Sequence, residues 1–329
     1  MRFSIVSNRP TAPALRNAFK QIADGQPAAP NATAGRILRH LQMTPKQAAS
    51  FCARLSVDDE QPSLLVLRSA LDVATADLTG GIAPGVAAQL IELIAKRAST
   101  EVDGLLRDTD VVVAFGVDPA ALTPAPSLLA NDGHVLDRQA YSDLVDAILD
   151  TAGLLLITAE GGVGKSTFAT VLPRLLADRA HVVVYDCFGN GTYRASDGSR
   201  HRHQDGLIQI ATELAGAALC LPVLPQRGQL STEYMRQFNA RLLIAVAALR
   251  EQHPGRHPVL LIDAADNAAM EADSRPGDQA FPRDLLRLGS VPEGVHIALT
   301  CRPERLDLLK APPNIPVRKL EGFSQDESA

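Results

Sequence analysis

Apolar residues in the second half of the chain fall in short unbroken runs, Leu154 to Thr158, His181 to Asp186, Val259 to Asp263 and Val295 to Thr300, and a last short strand is expected from Val317 to Leu320. Runs of this length, rich in Val, Ile and Leu and bounded by polar or glycine residues, predict strands buried on both faces. Between them the spacing changes to three and four. Tyr141, Leu144, Val145, Ile148 and Leu149 share one helical face, as do Phe168, Val171, Leu172, Leu175 and Leu176. Further helices are expected from about Gln204 to Leu219, Thr232 to Glu251 and near Asp284 to Leu288. Strands alternating with helices predict an α/β fold, a parallel sheet with helices on both faces.

The first third reads differently. From Thr11 to about Arg107 short helical segments are separated by polar or Gly/Pro breaks, and no strand-like run follows Phe3 to Val6. Thr44-Pro45-Lys46-Gln47 is a helix start, with Thr44 as cap, Pro45 in the first turn and Gln47 reaching back. Leu64, Leu67, Arg68 and Leu71, then Val86, Leu90, Leu93 and Ile94, continue helical spacing. Asp118-Pro119 and Thr123-Pro124-Ala125-Pro126 predict a stiff, extended connector. The expected organisation is a mainly helical region over 1–117, a proline-rich linker over 118–134 and an α/β domain over 135–329.

Composition narrows the function classes. Hydrophobic residues make up 46% of 329, enough for a sizeable core. A net charge of −5 gives no overall basic surface of the kind that gathers nucleic acid. Cys52, Cys187, Cys220 and Cys301 are scattered without a C-x-x-C pair, which fits reduced thiols, as core or strand-end residues, in a cytoplasmic protein. The run from Phe3 is too short for a signal peptide. The most apolar helix candidate, Leu242 to Leu249, falls well short of the ~20 residues a bilayer requires, so no membrane span is expected.

The segment Ala159-Glu160-Gly161-Gly162-Val163-Gly164-Lys165-Ser166-Thr167 stands between a predicted strand and a predicted helix. It follows the phosphate-binding pattern G-x-x-x-x-G-K-[ST] except for Ala159 in the first glycine position. In that pattern glycines let backbone N–H groups turn onto phosphate oxygens, the lysine neutralises the β and γ phosphates and the hydroxyl ligates magnesium. Lys165 and Ser166 are the residues for those roles. Such a site also needs a carboxylate at the end of a neighbouring strand to hold the cation, and Asp263 provides it. Asp266, three residues on, either orients or deprotonates an attacking water or caps the helix expected near Ala268. Arg302, after another strand, either senses a γ-phosphate or forms a surface ion pair.

Together, the glycine loop, Leu261-Ile262-Asp263-Ala264-Ala265-Asp266 and Leu299-Thr300-Cys301-Arg302-Pro303 resemble the STAND class of signalling ATPases, closest to its NACHT branch, over about 135–329. The resemblance implies a P-loop NTPase domain binding ATP or ADP with Mg2+. Residues 159–167 and Asp263 would hold nucleotide and metal, and Arg302 would act as the γ-phosphate sensor. Leu136-Asp137-Arg138-Gln139 is similar to the family's adenine-side segment, with Asp137 in place of a usual glycine, which makes Arg138 a nucleotide-side candidate. Asn267 replaces a frequent glutamate, so slow hydrolysis is expected. The resemblance further implies a switch in signalling or anti-phage defence, self-association or a partner protein under nucleotide control, and C-terminal helical modules beyond this chain.

Three other readings remain open: a nucleotide-dependent interaction module without turnover, a partitioning-type ATPase and a small-molecule kinase. The glycine pair resembles the partitioning enzymes, but Glu160 stands where they carry a signature lysine. A kinase would use Asp186 or a residue of 187–191 as base. No Asn-Lys-x-Asp guanine-reading motif occurs. Arg194 to His203 is basic, and an exposed loop is expected there, open to phosphate or an acidic partner surface, rather than a metal site at His201 and His203.

Overall fold

The computed structural model describes residues 3–6, 12–41, 43–58, 69–71, 73, 86–100, 108–129, 138–194, 199–226, 228–288 and 291–323. Leu64, Leu67 and Arg68 of the predicted helical spacing, and Leu136 and Asp137 of the expected adenine-side segment, lie outside them. The chain divides into two compact units, Met1–Ala74 and Thr75–Ala329.

In the first unit, β1 (Phe3–Val6) pairs in parallel with β2 (Leu55–Asp58), Phe3 opposite Leu55. Helices α1 (Pro13–Ala23), α2 (Thr33–Leu41) and α3 (Pro45–Cys52) gather a small core of Ala18, Ile22, Ala34, Ala48 and Cys52. α3 starts as predicted: Gln47 N donates to Thr44 Oγ1 at 3.3 Å while Thr44 N donates to Gln47 Oε1 at 3.0 Å. Strand β2 corrects the expectation of no strand after Val6. Leu55-Ser56-Val57-Asp58 is a four-residue alternation, too short to stand out, and its partner lies far off in sequence.

The second unit carries α4 (Val86–Thr100), α5 (Asp108–Ala114) and then an α/β layer structure. In chain order it runs α6 (Gln139–Asp150), β3 (Gly153–Thr158), α7 (Lys165–Leu175), β4 (Ala180–Asp186), α8 (His203–Gly216), α9 (Ser231–Gln252), β5 (His257–Asp263), α10 (Ala265–Ser274), α11 (Phe281–Leu286), β6 (His296–Cys301) and β7 (Val317–Lys319). The five strands form one sheet in the order β4-β5-β6-β3-β7, every pairing parallel. The sequence predicted these strands and helices to within a few residues. β6 therefore separates β3 from β5, which brings its carboxyl end between theirs.

The alternation of side chains along each strand sorts the core into two layers. Leu260 and Ile262 of β5, with Ile297 and Leu299 of β6, face α8, α9, α10 and α11 through Leu207, Phe238, Ala268 and Phe281. Val259 and Leu261, with Ala298, face α6 and α7 through Leu144, Ile148, Phe168 and Leu172. Helices thus cover both faces, and β5 is buried along nearly its whole length.

The proline-rich stretch is folded rather than extended throughout. Asp118 Oδ1 accepts from Ala120 N at 2.9 Å and caps a 3-10 turn, Pro119–Leu122. Ala125, 2% exposed, donates its N–H to Gln209 Oε1 at 3.2 Å, so this segment lies against α8.

Candidate functional site

Residues Ala159 to Gly164 turn the chain from β3 into α7. Gly162 (φ 80°) and Gly164 (φ 106°) take left-handed backbone angles that a side chain disfavours. Gly164 is doubly constrained, because a Cβ there would stand 2.7 Å from Tyr141 Oη. Ala159 keeps an ordinary backbone and is fully buried, with its N–H donated to Cys301 O at 3.2 Å, so an alanine serves in that position. The loop glycines, Lys165, Ser166 and Thr167 border a cleft of about 310 Å3 whose other wall is Phe188, Ala264, Asp266, Asn267 and Arg302.

Asp263 ends β5 with 0% exposure, behind Ser166 and Ala264, which border the cleft. Ser166 Oγ donates to its Oδ2 at 2.9 Å, and Thr300 Oγ1 donates to its Oδ1 at 2.6 Å. Thr300 in turn accepts Ala264 N at 2.8 Å, which stabilises the left-handed Ala264 (φ 54°) at the turn into α10. Burial pushes the Asp263 carboxyl above its ordinary value, and the hydrogen bonds from Thr300 and Ser166 pull it back. Two hard oxygen donors, one a carboxylate, suit Mg2+, which keeps most of its waters and needs few protein ligands. Among the described residues no cluster of three or more His, Cys, Asp or Glu is placed to hold a metal.

Lys165 Nζ donates to Glu160 O at 2.8 Å and to Ala159 O. Burial lowers the basicity of this amine, against which the charges of Asp266 and Asp263 act. Asp266, 2% exposed, lies in the first turn of α10; the helix starts at Ala265, so Asp266 is not its cap. Burial raises its carboxyl, opposed by Arg305, whose Nη1 lies 3.3 Å from Asp266 Oδ2 and 3.3 Å from Asn267 Oδ1. Arg302 is exposed and borders the cleft. Arg138 does not border it: this guanidinium, 4% exposed, donates from Nη1 to Val163 O and from Nη2 to Glu321 O, both at 2.9 Å.

The geometry thus gathers residues 161–167, Asp263, Asp266 and Arg302, and adds three that carried no assigned role in the sequence: Thr300, Arg305 and Tyr141. Thr300 was visible only as part of a strand end. A correction concerns the basic stretch. Arg200 and His201 are buried, not on an exposed loop: Arg200 donates to Asp186 O and Pro126 O, both at 2.8 Å, and His201 Nε2 pairs with Asp278 Oδ2 at 2.8 Å. His203 pairs with a different carboxylate, Asp284, at 2.9 Å, so each histidine has its own partner and the two do not share a ligand. All four cysteines are free and three are buried, in keeping with the core role expected of them.

A larger cleft, about 840 Å3, opens at the opposite, amino end of the sheet beside Gly153, His257 and His296. His296 Nδ1 there is engaged by Thr151 O at 2.9 Å. Size alone does not make it the candidate site, because the converging donors lie at the carboxyl end, where open parallel sheets bind ligands.

The fold and site define an α/β protein with an all-parallel five-stranded sheet and a glycine-rich strand-to-helix loop facing a buried carboxylate. No family model matches the chain, and no curated protein matches it. No described helix is long and apolar enough to cross a membrane.

Proposed function

We propose that this cleft binds a nucleoside triphosphate with magnesium, ATP being the nucleotide, and that the chain is the P-loop NTPase portion of a slow, NACHT-like STAND switch. One observation carries the reading: Ser166 Oγ lies 2.9 Å from Asp263 Oδ2 at the start of the helix that the glycine loop opens. In this reading the loop N–H groups and Lys165 hold the phosphates. Ser166 Oγ and Asp263 Oδ2 would hold the magnesium ion, which would supply neutralisation of phosphate charge there. Arg302, exposed at the cleft wall, contacts the γ-phosphate, and its contact supplies the differential affinity for triphosphate over diphosphate that a switch requires.

A second reading, a nucleotide-controlled interaction module with negligible turnover, is favoured by the state of Asp266. Its carboxylate is engaged by Arg305, and Asn267 beside it is no base. The kinase reading loses ground, because both Asp186 oxygens accept backbone N–H groups: Oδ1 from Phe188 at 2.9 Å and Gly189 at 2.8 Å, Oδ2 from Leu128 at 3.2 Å.

Calorimetric titration of the wild type and Lys165→Ala with Mg-ATP, Mg-ADP and Mg-GTP tests the site. The expected result is magnesium-dependent ATP binding that the substitution weakens at least a hundredfold while the unfolding midpoint stays within a few degrees. ATP affinity unchanged in Lys165→Ala would refute the assignment. Phosphate release by the wild type then separates a slow ATPase from a module without turnover.

A further inference from the structure

Arg138 entered as a candidate on the nucleotide side, yet its side chain is turned to the protein backbone. It is 4% exposed, lies 4.2 Å over the ring of Phe323 and 5.1 Å over that of Tyr141, and spends its two terminal nitrogens on Val163 O and Glu321 O. Tyr141, one helical turn along α6, donates its hydroxyl to Gly164 O at 3.2 Å. Two consecutive carbonyls of the glycine loop are therefore held from one side by the start of α6.

A trans peptide is planar, with its C=O and N–H pointing in opposite directions. Fixing the Val163 carbonyl towards Arg138 aims the Gly164 N–H away from it, and fixing the Gly164 carbonyl towards Tyr141 aims the Lys165 N–H likewise. Gly164 and Lys165 border the cleft; Arg138 and Tyr141 do not. The two side chains hold in place a pair of successive N–H groups of the kind that forms an anion-binding concavity. The close approach is built in: a Cβ at Gly164 would collide with Tyr141 Oη at 2.7 Å and stand in ordinary contact, 3.5 Å, with Arg138 Nη1.

Arg138 also reaches the main chain that follows β7. Leu320 N donates to Thr158 O at 2.8 Å, the last bond in line with the sheet, and beyond it Glu321 O and the Phe323 ring are both held by the same guanidinium. The loop and residues 321–323 thus share one buried cation.

We infer that Arg138 and Tyr141 are positioning residues that set the phosphate-binding loop, and that Arg138 couples occupancy of the loop to the ordering of residues 320–323. The inference rests on the nucleotide reading of the cleft. By linkage, whatever holds residues 321–323 against Arg138 favours the anion-ready loop, and an anion on the loop favours the held segment to the same degree.

The test uses the full chain, Arg138→Met, Tyr141→Phe and the wild type, with Mg-ATP and Mg-GTP titrations and amide hydrogen exchange across 317–323. Arg138→Met is expected to lose about tenfold or more in ATP affinity, the size of a charge-assisted hydrogen bond, and Tyr141→Phe a smaller factor. The ratio of ATP to GTP affinity is expected to stay constant in both, since the residues act on the phosphate loop. In the wild type Mg-ATP should slow exchange at 320–323, in Tyr141→Phe it should still do so, and in Arg138→Met the effect should vanish. Thermal melts confirm that each variant is folded, and Arg138→Lys, which keeps the charge and one donor, should recover part of the affinity. A changed ATP to GTP ratio in Arg138→Met would show a direct base contact and overturn the positioning role. Exchange at 320–323 indifferent to Mg-ATP in a wild type that binds it would overturn the coupling. A wild type that binds no nucleotide would instead overturn the reading of the cleft itself.

Discussion

Replacing Thr300 by valine removes one hydroxyl and leaves the shape of the side chain unchanged. That hydroxyl is fully buried and makes two bonds, donating to Asp263 Oδ1 at 2.6 Å and accepting Ala264 N at 2.8 Å. The first is a hydrogen bond to a carboxylate, worth about 1.5–3 kcal/mol, and the loss of the second leaves a backbone N–H unpaired, at about 1–3 kcal/mol. Thr300→Val should therefore cost about 3–5 kcal/mol in stability, while Thr300→Ser, which keeps both bonds and loses a methyl, should cost about 1 kcal/mol. The pH dependence has a definite sign. Burial already holds the folded Asp263 carboxyl above 3.8, and the Thr300 hydrogen bond opposes that rise. Removing it raises the folded value further. A carboxyl raised on folding opposes stability increasingly as pH climbs above its unfolded value, so the valine variant should fall further behind the wild type at about pH 8 than at about pH 4. Urea unfolding of the three proteins at both pH values measures all of this. A valine variant within about 1 kcal/mol of wild type at pH 8, or no less stable than the serine variant, would refute the reasoning.

Two further substitutions probe the packing behind the site, alongside the Lys165 and Arg138 variants described above. Burial pushes the Asp205 carboxyl from 3.8 to about 7; a raised value means its contribution opposes folding as pH rises through that window, by up to ~4 kcal/mol. Asp205→Asn should therefore stabilise the protein at about pH 8 and do nothing at about pH 4 in chemical unfolding; equal effects at both would refute the assignment. Gly206 on α8 touches the Phe281 ring so closely that a Cβ would lie 2.3 Å from Cε1. Gly206→Ala should cost about 1–3 kcal/mol by overpacking, with part of the loss restored by Phe281→Leu; a neutral Gly206→Ala would show that α8 and α11 can move apart.

The central strands β3, β5 and β6 were legible because burial on both faces writes an unbroken apolar run, whereas β7 is exposed along its three residues and has no such run. β2 was not legible, since its four residues gain their meaning only from β1, which lies far away in the chain. The positions of the glycine loop and of Asp263 were legible for a similar reason: each is a local signal, a strand followed by its candidate residues. Thr300 was hidden in plain view. Its role depends on β6 standing between β3 and β5, and strand order is not written in any local stretch. Arg200, His201 and His203 were misread because a run of basic residues ordinarily marks a solvated loop. Their acceptors, Pro126 O, Asp278 and Asp284, come from remote segments and convert that run into interior structure.

Asp186 and Asp263 show how the same residue at the same height in the sheet acquires different chemistry. They end adjacent strands and face each other in register. After β4 the chain folds straight back, and the N–H groups of Phe188 and Gly189 close on Asp186 Oδ1, while Leu128 N takes Oδ2 and Arg200 clamps the carbonyl. The three donors to the Asp186 carboxylate are backbone amides, which have no alternative partner once buried. After β5 the left-handed Ala264 sends its N–H to Thr300 instead, and among the described residues Asp263 accepts from two hydroxyls, those of Ser166 and Thr300. Thr300 is buried and fixed, but Ser166 is at the exposed cleft edge and its hydroxyl rotates freely enough to give up one partner for another. In the proposed reading this difference selects between the two carboxylates: one Asp263 oxygen is held by a rotatable hydroxyl that a cation would replace, while both Asp186 oxygens stay on backbone amides.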